Sequence, residues 1–186
     1  MKICVFGASS NQIDQKFLEA GETLGKLIGE HGHTLVFGGG CTGMMGAAAR
    51  GAASCQGKMI GVAPSFFDRP GVLYRQCTEF VYTDTMRERK DYMEQISDAF
   101  IVTAGGIGTY EEFFEVFTLK QLGQLDKPIV LLNTEGYYDA MMELLKMTVQ
   151  KGFLAEPVLN QLMICDTPEK AISMLERKVH QLSDCE

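Results

Sequence analysis

Short apolar runs recur along the chain at 2–6, 34–37, 59–62, 99–103, 128–132 and 162–165, each nearly continuously hydrophobic. Runs of this length without polar alternation predict strands covered on both faces. Between them lie stretches of helical periodicity at about 13–30, 43–55, 85–97, 109–122, 137–151 and 168–182. In the first, Phe17, Leu18, Leu24, Leu27 and Ile28 fall at helical spacing, and the stretch ends at His31-Gly32. A glycine just beyond the last turn is a common helix stop. Strands alternating with helices predict βαβ units with right-handed crossovers. The expected fold is α/β: a three-layer Rossmann-like doubly wound parallel sheet with helices on both faces. Numbered along the chain, the six strands take the order 3-2-1-4-5-6, and ligands bind beyond the strand ends where such winding reverses. The loops there are 7–11, 38–46 and 104–109, all rich in glycine or other small residues.

The chain has 186 residues, 46% of them hydrophobic and 22% charged, so disorder is excluded and a single nucleotide-binding domain over 1–186 is expected. Seventeen basic against 24 acidic residues give a formal charge of -7. That sign removes the main driving force for binding nucleic acid or an anionic membrane. No apolar run approaches the ~20 residues needed to span a bilayer, and Ile3–Phe6 is too short for a signal peptide core. A cytoplasmic location is expected. The six cysteines (Cys4, Cys41, Cys55, Cys77, Cys165, Cys185) form no C-x-x-C pair, and His31, His33 and His180 are not grouped with them at zinc-ligand spacing. Free thiols in a reducing compartment and no metal are expected, with Cys4 and Cys165 buried inside strands.

Gly38, Gly40 and Gly43 fit G-x-G-x-x-G. The acidic residue that a dinucleotide site places about 20 positions later is missing, since the next strand runs into Pro64 and Ser65. The motif also follows the second strand and not the first. Either it binds a dinucleotide, or its glycines permit close packing of helix on strand.

The loop Ala104-Gly105-Gly106-Ile107-Gly108-Thr109 opens a helix, where converging backbone N–H groups form an anion site. Thr109 and Glu112 make T-x-x-E, so Glu112 is read either as part of a capping box or as a chemical group. A phosphate ~6 Å from that carboxylate meets about 2.8 kcal/mol of repulsion per unit charge at an effective dielectric of ~20. The helix dipole returns only about 0.3–1 kcal/mol. Cations are therefore needed, and Arg87, Arg89 and Lys90 form the one dense basic cluster. On a helix over 85–97, Met86, Arg89, Met93 and Ile96 share a face, while Arg87 and Glu94 point elsewhere to solvent. Arg89 on this apolar stripe either snorkels from its edge or reaches the cleft to meet Glu112 and an anionic ligand. The second is expected, because an unpaired guanidinium there would be costly. The following helix carries Phe113, Phe114, Val116, Phe117, Leu119 and Leu122, apolar around most of its circumference. A sheet covers one side only, so a homodimer is expected to cover the rest and to complete the cleft.

Arg89-Lys90 followed by Gly105-Gly106-Ile107-Gly108-Thr109-Tyr110-Glu111-Glu112 resembles the LONELY GUY family of cytokinin riboside 5′-monophosphate phosphoribohydrolases, also labelled lysine decarboxylase-like. Its signature is P-G-G-x-G-T-x-x-E after an M-H-x-R-K segment. The resemblance extends to the run 38–46 and to Ser97-Asp98-Ala99-Phe100, and covers about 2–155. It implies that Arg89 and Glu112 are the catalytic pair. It also implies that Lys90, Gly106, Gly108, Thr109, Glu111 and Thr118 contact the substrate, with no metal or organic cofactor and in dimers or larger homo-oligomers. Gly105–Thr109 would hold a 5′-phosphate. Ala104 stands in place of the motif proline and Arg87 in place of its histidine, and the segment 64–76 does not match. Nothing resembles a pyridoxal-phosphate site, so lysine decarboxylation is not expected.

The expected reaction is hydrolysis of the N-glycosidic bond of a nucleoside 5′-monophosphate, releasing base and ribose 5-phosphate. A carboxylate stabilises the oxocarbenium character of that transition state and activates water or traps the sugar. Glu112 suits this role, and Arg89, always protonated, suits orientation and charge compensation. The cytokinin nucleotide or AMP is the expected substrate. The alternative is a nucleotide-binding or carrier protein of the same fold without turnover.

Overall fold

The structure, a computed structural model, describes residues 1–183. Seven strands form one sheet: β1 Lys2–Phe6, β2 Thr34–Phe37, β3 Lys58–Pro64, β4 Glu79–Thr83, β5 Ala99–Val102, β6 Ile129–Leu132 and β7 Leu162–Cys165. Their order is β4-β3-β2-β1-β5-β6-β7, and every pairing is parallel. The six expected strands take the expected order. The seventh, β4, was not among them and extends the edge beside β3. Its sequence Glu-Phe-Val-Tyr-Thr mixes polar and apolar positions because an edge strand is covered less completely, and none of its residues is fully buried.

Helices α1 (Gln15–Glu30), α2 (Gly43–Ser54) and α7 (Pro168–Ser183) cover one face, and α3 (Met86–Ile96), α4 (Ile107–Gln121) and α5 (Asp139–Gln150) the other. A short helix α6 (Glu156–Leu159) precedes β7. The side-chain period of a strand divides each apolar run between two cores. Ile3, Val5, Leu35, Phe37 and Ile101 pack with α1, α2 and α7; Cys4, Phe6, Val36, Phe100 and Val102 pack with α3, α4 and α5. Both faces are therefore dry, which is why these strands read as unbroken hydrophobic stretches.

Winding reverses between β2-β1 and β1-β5, and the loops beyond these strands meet there. Ala8 N–H donates to Ala104 O at 3.1 Å, Met44 N–H to Ala8 O at 2.8 Å, and Gly43 N–H to Asn11 Oδ1 at 2.7 Å. No described helix is long and apolar enough to cross a membrane. Cys4 and Cys165 are buried as expected, and they, Cys41, Cys55 and Cys77 are free thiols. Cys185 lies outside the described residues.

Candidate active site

α3 and α4 bring the two central residues together from opposite sides of the reversal. Arg89, on the first turns of α3, is 6% exposed, and Glu112, on α4, is 9% exposed. Arg89 Nη1 donates to Glu112 Oε1 at 2.7 Å, and Arg89 Nε donates to Val62 O at 3.2 Å. The guanidinium thus does not snorkel outward; it is buried, paired and fixed by the end of β3. Gly38 makes room for it, since a β-carbon there would overlap Arg89 Nη2. The rest of the stripe is less uniform than expected: Met93 is buried, but Met86, in the first turn, is 42% exposed.

α4 begins at Ile107, with Gly106 as its N-cap and no side chain bonded to the cap. The reading of Thr109 and Glu112 as a capping box is therefore incorrect. The helix starts two residues before Thr109, which places this side chain inside the first turn, where it is buried. α3, in contrast, has a full capping box between Thr85 and Glu88. The first-turn N–H groups of α4 are thus left without a side-chain acceptor, as an anion would require. Nothing lies within 4 Å of where a β-carbon on Gly106 or Gly108 would stand.

The loop is held from below by tyrosines that the sequence reading did not single out. Tyr137 Oη donates to Gly105 O at 2.6 Å, Tyr138 Oη donates to Thr103 O at 2.6 Å, and Tyr110 Oη lies 3.1 Å from Tyr137 Oη. Burial pushes the Tyr137 phenol up to about 12, so it remains a donor across the neutral range. The signal in the sequence was Gly136-Tyr137-Tyr138 just after β6, at the same end of the sheet.

Burial pushes the Glu112 carboxyl above its ordinary value, and the Arg89 charge opposes this without cancelling it. Lys90 Nζ pairs with Glu111 and, at 2.6 Å, with Glu115 Oε2. Burial pulls the Lys90 ammonium down, but its hydrogen bonds to the two glutamates outweigh this and hold it above the usual lysine value. Glu94, expected in solvent, is half-buried beside this network. Burial first, then the Glu115 charge, push it up to about 7. Arg87 is exposed, as expected.

Arg89, Glu112, Gly105, Gly106, Gly108 and Thr109 are thus brought together, with Lys90 and Glu111 at the margin. Thr118 is not. It is exposed and ten residues beyond Gly108, ~15 Å along the helix from the loop. The run 38–46 serves packing and shape: Gly38 admits Arg89, and Gly43, at φ +61°, lies against the Ala8 carbonyl. β3 ends at Pro64 and runs straight into a short 3-10 turn from Ser65, so the end of this strand carries no carboxylate for a dinucleotide ribose. A separate hollow of about 370 Å³ between β4 and α3 is lined by Asp84, Glu88, Asp91, Tyr82 and Tyr92. It lies on another face of α3 from Arg89, and its acidic lining would repel a phosphate.

Fold and site together define a Rossmann-like α/β protein with a buried arginine–glutamate pair one turn below an uncapped helix N-terminus. A family model described as possible lysine decarboxylase matches residues 45–175. The cytokinin riboside 5′-monophosphate phosphoribohydrolase of Mycobacterium tuberculosis is 37% identical over 157 residues, 84% of either chain. The enzyme of the same name from rice, LOG, is 35% identical over 178 residues, 96% of this chain and 74% of that one. The chain belongs to this family, the LONELY GUY family that its motifs resemble. Among solved structures, the molybdenum cofactor binding protein of Rippkaea orientalis superposes with a TM-score of 0.74 at 25% identity, over 96% of both chains. The molybdenum cofactor carrier protein of Chlamydomonas reinhardtii, at TM-score 0.74 and 23% identity over 96% of this chain and 98% of that one, shares the fold.

Proposed function

We propose that the chain hydrolyses the N-glycosidic bond of a nucleoside 5′-monophosphate, either a cytokinin riboside 5′-monophosphate or AMP, to free base and ribose 5-phosphate. The observation that carries this reading is the Arg89–Glu112 pair at 2.7 Å, buried beside an open, uncapped helix N-terminus. Names of relatives at 35–37% identity over most of the chain support the reaction class.

The 5′-phosphate binds the N–H groups of Gly106, Ile107 and Gly108, and Glu112 lies one helical turn on, ~6 Å away. That is the length scale of a ribose between its phosphate and its anomeric carbon. Glu112 offers one oxygen to Arg89 and retains a second with no hydrogen bond to described residues. This second oxygen stabilises the oxocarbenium-like transition state and either activates water or traps the sugar. Arg89 keeps the carboxylate ionised despite burial, orients it, and offsets repulsion between it and the phosphate. Lys90, with Glu111, stands at the margin to contact the substrate. No metal or organic cofactor enters this reaction.

A homodimer completes the proposal. Phe114 of α4 and Leu122 at its C-cap are 38% and 63% exposed, and Leu144 and Met147 of α5 are 50% and 48% exposed. Covering these groups with a second copy removes apolar surface from water. It also offers the route by which Thr118, remote from the loop of its own chain, reaches a substrate on the other.

The likeness to a molybdenum cofactor binding protein supports a second reading, a carrier without turnover. Isothermal titration of AMP into Glu112→Gln, beside a turnover assay, separates the two. The hydrolase reading expects retained binding with turnover lost by about 10²–10⁴-fold. Binding by wild type without any base released would favour the carrier.

A further inference from the structure

At the opposite end of the sheet, three side chains from distant parts of the sequence converge. His31 caps the C-terminus of α1, His33 stands one residue before β2, and Glu176 lies on α7. His31 Nδ1 is 2.9 Å and His33 Nε2 is 3.1 Å from the same oxygen, Glu176 Oε1. We propose that His31, His33 and Glu176 form a binding site for a borderline divalent cation, with zinc the best fit to two imidazoles and a carboxylate.

The geometry is near that of a bound ion. Ligands ~2.0–2.1 Å from a tetrahedral zinc stand about 3.3–3.4 Å from one another. Both histidine-to-glutamate separations fall within a few tenths of that edge, and all three donor groups lie within 4.8 Å of one another. Gly32, at φ +71°, turns the chain so that the flanking imidazoles face the same side. This turn is fixed by backbone bonds: His31, Gly32 and His33 N–H donate to Leu27, Gly29 and Ile28 O at 3.0, 2.9 and 2.9 Å. His33 Nδ1 is also within 3.4 Å of the Met1 amino group, which helps fix the ring.

The chemistry agrees. Two imidazoles and one carboxylate, with a fourth position left to water, are a donor set that zinc accepts. The His33 side chain is 12% exposed, while His31 and Glu176 are 40% and 32% exposed, leaving an entry path and room for a water as fourth ligand. No local sequence pattern marks this site, because Glu176 lies 143 residues from His33. The site is separated from Arg89–Glu112 by at least the length of β2, ~13 Å, so its ion takes no part in hydrolysis. It clamps α7 onto the junction of α1 and β2.

The test uses untagged, chelator-treated, full-length protein titrated with zinc chloride, beside thermal melts and cobalt spectroscopy. One zinc per chain is expected, with a melting temperature raised by roughly 5–10 °C at ~100 times the dissociation constant. His31→Ala and Glu176→Gln, both at partly exposed positions that leave the core intact, are expected to lower affinity at least ~10-fold. Cobalt is expected to give visible bands of a tetrahedral site, without a thiolate charge-transfer band. The proposal is overturned by folded wild type that takes up no zinc, by uptake unchanged in both variants, or by a thiolate band that places the ion on cysteines.

Discussion

Arg89 and Glu112 are each nearly buried, and each makes the other tolerable. Removing one partner of such a pair leaves an uncompensated charge, whereas replacing both with apolar groups can be neutral. Arg89→Met is therefore expected to lower stability by about 3–5 kcal/mol in urea unfolding. Arg89→Met combined with Glu112→Leu is expected to recover most of that loss while remaining inactive. A double variant no more stable than the single one would show that the two residues do not act as a pair. The acid limb of kcat/KM carries a second expectation. Glu112 must be ionised to act, and burial raises it, so activity should fall at a pH above the ordinary glutamate range near ~4.3. The pairing was legible from sequence because a guanidinium on an apolar stripe demands a partner. Glu115 and Tyr137 were not, since their roles depend on how α3 and α5 sit against α4 and its loop.

At the scale of the element, α4 matters most at its first turn. Gly106 and Gly108 have open space where a side chain would be, and neither has positive φ. Alanine at either position should leave the melting temperature unchanged, while raising KM by about tenfold as the methyl intrudes on the phosphate. A loss of stability without a change in KM would move the ligand elsewhere. The capping-box misreading has a local cause: T-x-x-E spacing fits a cap at Thr109, but a glycine supplied the cap and Ile107 and Gly108 joined the helix. Facing α4, Glu94 ties α3 to pH. Its folded-state value of about 7 lies above the ordinary ~4.3, so the fold prefers it protonated. The stability it contributes is fully present below about pH 4 and is lost as pH rises through about 7. Glu94→Gln should therefore raise the melting temperature more at pH 8 than at pH 5; an equal gain at both would remove Glu94 from the titration.

At the scale of the molecule, the parallel α/β sheet was legible because both faces are covered, which leaves each inner strand as an unbroken apolar run. β4 escaped because an edge strand lacks that signature. The apolar face of α4 was legible in the same way, since Phe113, Val116 and Phe117 account for the sheet side and Phe114 and Leu122 remain exposed. Phe114→Glu with Leu122→Glu should yield monomers in analytical ultracentrifugation with reduced turnover. A wild type that sediments as a monomer at micromolar concentration would contradict the dimer.

The most direct measurement of the central claim is chromatography of the products formed from AMP, isopentenyladenosine monophosphate, GMP and CMP by wild type and Glu112→Gln. The account predicts free base and ribose 5-phosphate in equal amounts from wild type, from the adenine nucleotides before the others, and neither product above background from the variant. Intact nucleotides after incubation with folded wild type, or equal base release by Glu112→Gln, would contradict it.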